Sequence, residues 1–175
     1  TYHYVFGLEE SYGCLAGTYA RDKDACVAVM MLCEVASWCK KHGKTLWDAM
    51  LDMYEKYGYY REGLDTKTLK GIDGAAQIQA LMSESRQNPP KKLGGFDVLA
   101  VRDYKEDTRT DMVTGEVTKT GLPTSNVLYY ELSDNAWCCV RPSGTEPKIK
   151  YYFGVKGSSL ADAEQKLEAL KNDLV

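Results

Sequence analysis

The stretch Val127-Leu128-Tyr129-Tyr130-Glu131-Leu132-Ser133-Asp134-Asn135-Ala136-Trp137-Cys138-Cys139-Val140 decides the fold class. Residues 127–132 and 136–140 read as strands, and Ser133-Asp134-Asn135 between them is a hairpin signal. Upstream, Phe96-Asp97-Val98-Leu99-Ala100-Val101 has a period of two, and downstream residues 149–155 read as another strand. Ser159 opens a last helix in which Leu160, Ala163, Leu167, Leu170 and Leu174 recur at steps of three and four. That pattern is a one-sided amphipathic helix lying on a sheet. Residues 73–86 predict a further helix with Ile78, Leu81 and Met82 on one side, and Asn88-Pro89-Pro90 stops it. Residues 105–125 are polar and threonine-rich, with turn points at Gly115 and Gly121, and predict a long loop or a weakly paired ribbon. Segregated strands flanked by helices predict an α+β domain, an antiparallel sheet with helices on one face.

The first third of the chain reads differently. Residues 4–8 predict a short strand followed by a loop, and residues 22–42 a helix. That helix is apolar nearly all round over 25–39, which predicts burial on several sides. Lys40, Lys41 and His42 fill its last turn, where the helix dipole favours cations, and Gly43 ends it. A second helix fits 45–57, with Thr45 as its cap, Asp48 three residues on, and an apolar face of Leu46, Met50, Met53 and Tyr57. Gly58 ends this helix and 58–63 reads as a hinge. The predicted organisation is an α/β fragment over 1–57 followed by the α+β domain over 58–175.

Composition narrows the function classes. The chain has 175 residues, a net charge of −3, 44% hydrophobic and 27% charged residues, which is ordinary for a folded globular chain. With no basic run, nucleic acid is excluded as the main partner. The longest apolar run, 25–33, is ended by Glu34 and falls short of the roughly 18 residues a membrane span needs, so no membrane partner is expected. None of the six cysteines forms a CxxC pair, and two histidines are too few for a zinc site at this spacing. The cysteines read as small buried apolar residues, reduced, in a cytoplasmic protein. The sequence begins at Thr1 rather than Met, with Tyr4-Val5-Phe6 already strand-like, and is expected to be a piece of something longer.

Three segments carry chemistry. In Arg141-Pro142-Ser143-Gly144-Thr145-Glu146-Pro147-Lys148-Ile149-Lys150 the prolines stiffen both ends, and Gly144 permits torsions that would aim consecutive amides at one point, an anion nest. Ser143 and Thr145 add hydroxyl donors, Arg141 grips two phosphate oxygens at once, and Lys148 and Lys150 share a strand face. The same residues also make a tight hairpin turn with incidental charge. In Gly7-Leu8-Glu9-Glu10-Ser11-Tyr12-Gly13, Glu9 and Ser11 point the same way in an extended chain and suit vicinal sugar hydroxyls, or else the acids cap the next helix. In Arg21-Asp22-Lys23-Asp24 an aspartate caps the helix, and Lys23 reaches a ligand oxygen or is a solvated helix start. No nucleophilic triad, Walker-type loop, paired-carboxylate spacing or metal-ligand cluster is present, so no catalytic or metal residue is assigned.

Taken together and in this order, the three segments resemble the α-D-phosphohexomutases, the phosphoglucomutase and phosphomannomutase family. The first looks like the family's sugar-recognition loop, which implies that Glu9 and Ser11 hold sugar hydroxyls. The second resembles the charged motif whose lysine, here Lys23, contacts substrate. The third resembles the phosphate-binding loop of the last domain and carries over Arg141, Ser143, Gly144 and Thr145, with Lys150 on the basic strand that follows. The resemblance implies four domains, of which residues 1–57 would be the end of the third and 58–175 the fourth, a domain that rotates to close on substrate. The phosphoserine loop and the Asp-rich magnesium loop are not found here. The resemblance therefore implies a parent enzyme that interconverts sugar 1-phosphate and sugar 6-phosphate through a bisphosphate, and that uses Mg2+ held in the missing N-terminal domains. This fragment is expected to hold no cofactor, to bind the phosphosugar without turning it over, and to self-associate through 1–57. Tyr12-Gly13-Cys14 stands where a glucosamine-type loop would show a histidine, so glucose ranks above mannose. The competing reading is a stand-alone phosphate-binding or protein-interaction module.

Overall fold

The computed structural model describes residues 2–9, 13–69, 73–144 and 146–174. The chain divides into two compact units, Thr1–Lys56 and Tyr57–Val175.

The first unit opens with strands β1 (Phe6–Glu9) and β2 (Gly13–Ala16), an antiparallel pair whose register sets Phe6 opposite Ala16 and Glu9 opposite Gly13. β2 is not foreseen by the sequence reading, which assigns no second strand before the helix. Helix α1 (Ala25–Lys41) packs against β2 and is capped by Asp24, whose carboxylate accepts from the Cys26 and Val27 amides. Helix α2 (Leu46–Tyr57) starts with a reciprocal cap. The Thr45 amide donates to Asp48 at 2.7 Å, and the Asp48 amide donates to the Thr45 hydroxyl at 3.1 Å. The predicted burial of α1 on several sides is overturned: among its residues only Cys39 is buried, and Val29, Met30, Leu32, Val35 and Trp38 are exposed. A two-stranded hairpin is too narrow to cover a helix of 17 residues. The apolar face of α2 is likewise open at Leu46, Met50, Met53 and Tyr57. The reading of the cysteines as buried holds for Cys39 and Cys138; Cys26 and Cys33 are exposed, and all six are free.

The second unit is the predicted α+β layer. Its elements are β3 (Tyr59–Thr68), α3 (Gly74–Gln87), β4 (Lys92–Leu93), β5 (Phe96–Asp103), β6 (Thr108–Asp111), β7 (Val117–Thr118), β8 (Leu128–Leu132), β9 (Trp137–Pro142), β10 (Lys148–Gly157) and α4 (Leu160–Leu174). The sheet is antiparallel, in the order β3-β10-β9-β8-β5-β6-β7, with β4 added to β5. The β8–β9 hairpin turns at Asp134 and Asn135, both with left-handed φ, a conformation these two residue types tolerate better than most. Residues 58–63, read as a hinge, mostly belong to β3.

Alternation along the strands builds the core. Ile149, Tyr151, Phe153 and Val155 of β10 are at most 2% exposed and share one cluster with Ile78 and Met82 of α3 and Leu167 and Leu170 of α4. Both helices therefore lie on the same face. The other face is partly open and carries a polar ladder. There Tyr129 stacks on Trp137, the Arg102 guanidinium lies over the Tyr129 ring, and Glu131 accepts from Arg102 at 2.5 Å and from Arg109 at 2.9 and 2.7 Å. The two guanidiniums, Arg109 first, hold the Glu131 carboxyl below the usual glutamate range.

The 105–125 segment takes the ribbon form, β6 against β7. Its base is pinned by Arg86 of α3, which donates to Asp103 at 2.8 Å, to Asn126 at 2.6 Å and to the Met82 carbonyl at 3.4 Å. Asp103 also accepts from the Lys105 amide, so one nearly buried ion pair ties both ends of the insertion to a helix.

Two outcomes follow. Asp103→Ala strands the Arg86 guanidinium and should cost about 3–5 kcal/mol in chemical denaturation, the range for breaking a buried pair on one side. Glu131, depressed in the folded state, contributes stability that is present above its unfolded value of about 4.3 and is lost as pH falls through the folded value. Glu131→Gln should therefore flatten the fall of Tm with acid below about pH 4.3, and an unchanged slope would remove the carboxylate from the account.

Candidate functional site

Two clusters of the predicted residues form, one in each unit. In the first unit the hairpin and the α1 cap bring Glu9 and Lys23 together across 14 residues of sequence. Lys23 Nζ lies 3.2 Å from Glu9 Oε1 and 3.3 Å from Asp22 Oδ1. Glu9 stands at the end of β1, and Lys23 immediately precedes the capping Asp24. The Asp24 amide donates to the Cys14 carbonyl at 2.9 Å, which fastens the start of α1 to β2. Tyr19 braces the same cap by donating its hydroxyl to Asp24, a bond that pushes the phenol up to about 12. The Tyr19 hydrogen bond in turn leads in holding Asp24 below the ordinary range. These contacts border an open depression of about 230 Å³ whose lining includes Tyr4, Glu9, Arg21, Asp22 and Lys23. Ser11, the third predicted sugar contact, lies outside the described residues.

The electrostatics of this cluster suit exchange with hydroxyls. The hydrogen bond to Glu9, ahead of that to Asp22, raises Lys23, so the side chain is a cation at any physiological pH. The Lys23 amide, followed by its ammonium, lowers Asp22. The pair is half exposed, 40% for Lys23 and 52% for Glu9, and an ion pair that wet contributes little to stability. A diol can therefore enter between acceptor and donor at small cost. Sequence reading lists Lys23 and Glu9 in separate motifs; only the antiparallel pairing sets them side by side.

In the second unit the predicted phosphate residues lie at the β9–β10 turn. Arg141 and Lys150 are directly opposite each other in the ladder and both are exposed. Among the described residues neither makes an ion pair, whereas Lys148 is paired with Glu146 at 2.9 Å. Like charges facing each other across a strand pair repel, so this end of the sheet is electropositive without a protein counter-ion among the described residues. The turn is closed from within: the Ser143 amide donates to the Lys148 carbonyl at 2.8 Å, the Lys148 amide to the Glu146 carbonyl at 2.7 Å, and the Glu146 amide to the Ser143 hydroxyl at 3.3 Å. Thr145 lies outside the described residues.

Gly144 is not among the glycines with left-handed φ. The turn is set instead by the internal hydrogen bonds just described and by the fixed φ of Pro142 and Pro147. Gly144 is exposed, and a Cβ placed on it would meet nothing within 4 Å, so the glycine leaves open space above the turn. Sequence reading also misses Leu69 at this site. Its amide donates to the Pro147 carbonyl at 3.0 Å and anchors the end of the turn to the end of β3.

Residues 1–57 match the family model for the phosphoglucomutase/phosphomannomutase alpha/beta/alpha domain III, and residues 89–171 match that for the phosphoglucomutase/phosphomannomutase C-terminal domain. A phosphoglucomutase of Staphylococcus aureus strain bovine RF122 / ET3-1 is 38% identical over 166 residues, 95% of this chain. The phosphoglucomutases of strains USA300 and N315 are 37% and 36% identical over the same length. The chain spans about 30% of the length of these relatives. Two successive domains of one family, in that family's order and with relatives aligned to 95% of this chain, show that the chain belongs to the phosphoglucomutase/phosphomannomutase family.

Proposed function

We propose that this chain is the substrate-holding part of a phosphohexomutase that interconverts sugar 1-phosphate and sugar 6-phosphate, glucose first among the hexoses, through a bisphosphorylated intermediate. Residues 1–57 are assigned to the C-terminal part of the third domain and 58–175 to the fourth. Glu9, Ser11 and Lys23 take the sugar hydroxyls. Arg141, Ser143, Gly144, Thr145 and Lys150 take the phosphate that is not being transferred. The observation that carries the reading is the Arg141–Lys150 pair, two cations facing each other beside an open turn, with no ion-pair partner among the described residues. A phosphate dianion relieves that repulsion.

These residues bind and orient; none donates or recovers the phosphoryl group. In phosphoryl transfer, positioning and charge stabilisation supply most of the rate, so their loss falls on KM and kcat/KM. Among the described residues no group of three or more His, Cys, Asp or Glu side chains could hold a metal ion. The Mg2+ that the family implies, and the serine that carries the phosphoryl group, are assigned to the other domains of the full-length protein, and the chain alone is inactive on this reading. Among the described residues no helix is long and apolar enough to cross a membrane, and six free cysteines suit the reducing cytoplasm, where we place the enzyme.

Amide NMR of this chain titrated with glucose 1-phosphate, against glucose as control, tests the phosphate site. Shifts centred on Ser143 and Gly144 with the phosphate and not with the sugar are expected. Silence at those amides up to millimolar ligand would overturn the assignment of the phosphate site. The exposed apolar faces of α1 and α2 carry a second expectation. Such patches drive association, so the isolated chain should sediment as a concentration-dependent dimer or larger species through residues 1–57. A single monomeric boundary at high concentration contradicts it.

A further inference from the structure

Gly13 has a role that follows from what lies against it. It lies in strand β2, where a side chain is the rule rather than the exception. It is buried, and it is the cross-strand partner of Glu9. What glycine supplies is room. A Cβ built there would sit 2.0 Å from Lys23 Cδ, 2.7 Å from Cγ and 2.9 Å from Cβ. The aliphatic stem of Lys23 thus lies across the bare backbone of β2, and its ammonium reaches Glu9 on the neighbouring strand.

The close approach begins near the Lys23 backbone. A clash with a side chain's far end is relieved by a rotamer change, but here the first three carbons are involved, beginning at Lys23's own Cβ. The backbone beside them is held by the bond from the Asp24 amide to the Cys14 carbonyl and by the Asp24 cap on α1. We infer that Gly13 is a positioning residue: by leaving the surface of β2 bare, it sets the path of Lys23 and so the spacing between the Lys23 ammonium and the Glu9 carboxylate that receive the sugar. The inference rests on the reading of Glu9 and Lys23 as sugar contacts, and adds a residue that touches neither sugar nor phosphate.

The test is a double-mutant cycle in the full-length protein encoded by the gene, with Gly13→Ala, Lys23→Ala and both together, read by glucose 1-phosphate turnover and by melting. Alanine fits strand torsions, so the added methyl group is the only change. Gly13→Ala should raise KM roughly tenfold, the scale of one lost hydrogen bond to a charged group, with kcat changed less. The double variant should be no worse than Lys23→Ala, and its Tm should return to that of Lys23→Ala, because removing the stem removes the clash. If Gly13→Ala does not fold, the same rescue by Lys23→Ala supports the inference, and a double variant that stays unfolded overturns it. Lys23→Ala impaired beside Gly13→Ala with normal KM, or fully additive effects, overturns it alone. Lys23→Ala with wild-type KM overturns the sugar-contact reading itself, and this inference with it.

Discussion

Strand β10 is paired along both edges, with β3 over ten residue positions and with β9 over six, and the second unit depends on that double ladder. One face of the strand is buried against α3 and α4, and the other carries Lys150 into solvent. The turn that leads into β10 is the candidate phosphate loop. A loop hung between two paired strands is held at both ends by ladder hydrogen bonds, and the bond from Leu69 to Pro147 adds a third fixed point on β3. Holding a dianion requires donors already in place before the ligand arrives, since ordering them afterwards would offset part of the binding energy. The sheet supplies that order without the loop itself needing a core.

On the proposed function, the first unit meets a different problem with the same means. A sugar hydroxyl both donates and accepts, so its site needs an acceptor and a donor side by side, and each must release its present partner readily. Glu9 and Lys23 meet at 3.2 Å and are wet enough that their mutual attraction is weak. Their closeness comes from the β1–β2 register, from the Asp24 cap that fixes where α1 begins, and from a glycine that lets a lysine pass. In the second unit Arg141 faces Lys150 with no ion-pair partner among the described residues, which is a cost to stability and a gain for anion binding.

Legibility in the sequence followed the strength of the periodic signal. In α4, Ala163, Leu167 and Leu170 were identified by spacing alone and are buried, because an amphipathic stripe has one way to lie on a sheet. The Thr45–Asp48 cap was readable because capping is local chemistry between residues three apart. The β2 strand was not readable: Gly13-Cys14-Leu15-Ala16 has little alternation and becomes a strand only by pairing with β1. The bonds that close the 142–148 turn were not readable either, since they depend on the β9–β10 register. Burial of α1 was overestimated, because an apolar sequence states what a helix can bury and not what is present to cover it.

By itself the sequence determined the residue types of the chemistry, the class of each half and the resemblance that ties three motifs into one family, all properties of short segments read in order. Tertiary structure decided the distances. It set Arg141 opposite Lys150, brought Lys23 to Glu9 and tied both ends of the 105–125 ribbon to Arg86. Register and close approach are the reason: a strand's partner, and the room a missing Cβ leaves, are relations between segments far apart in the chain, and no single stretch of sequence contains them.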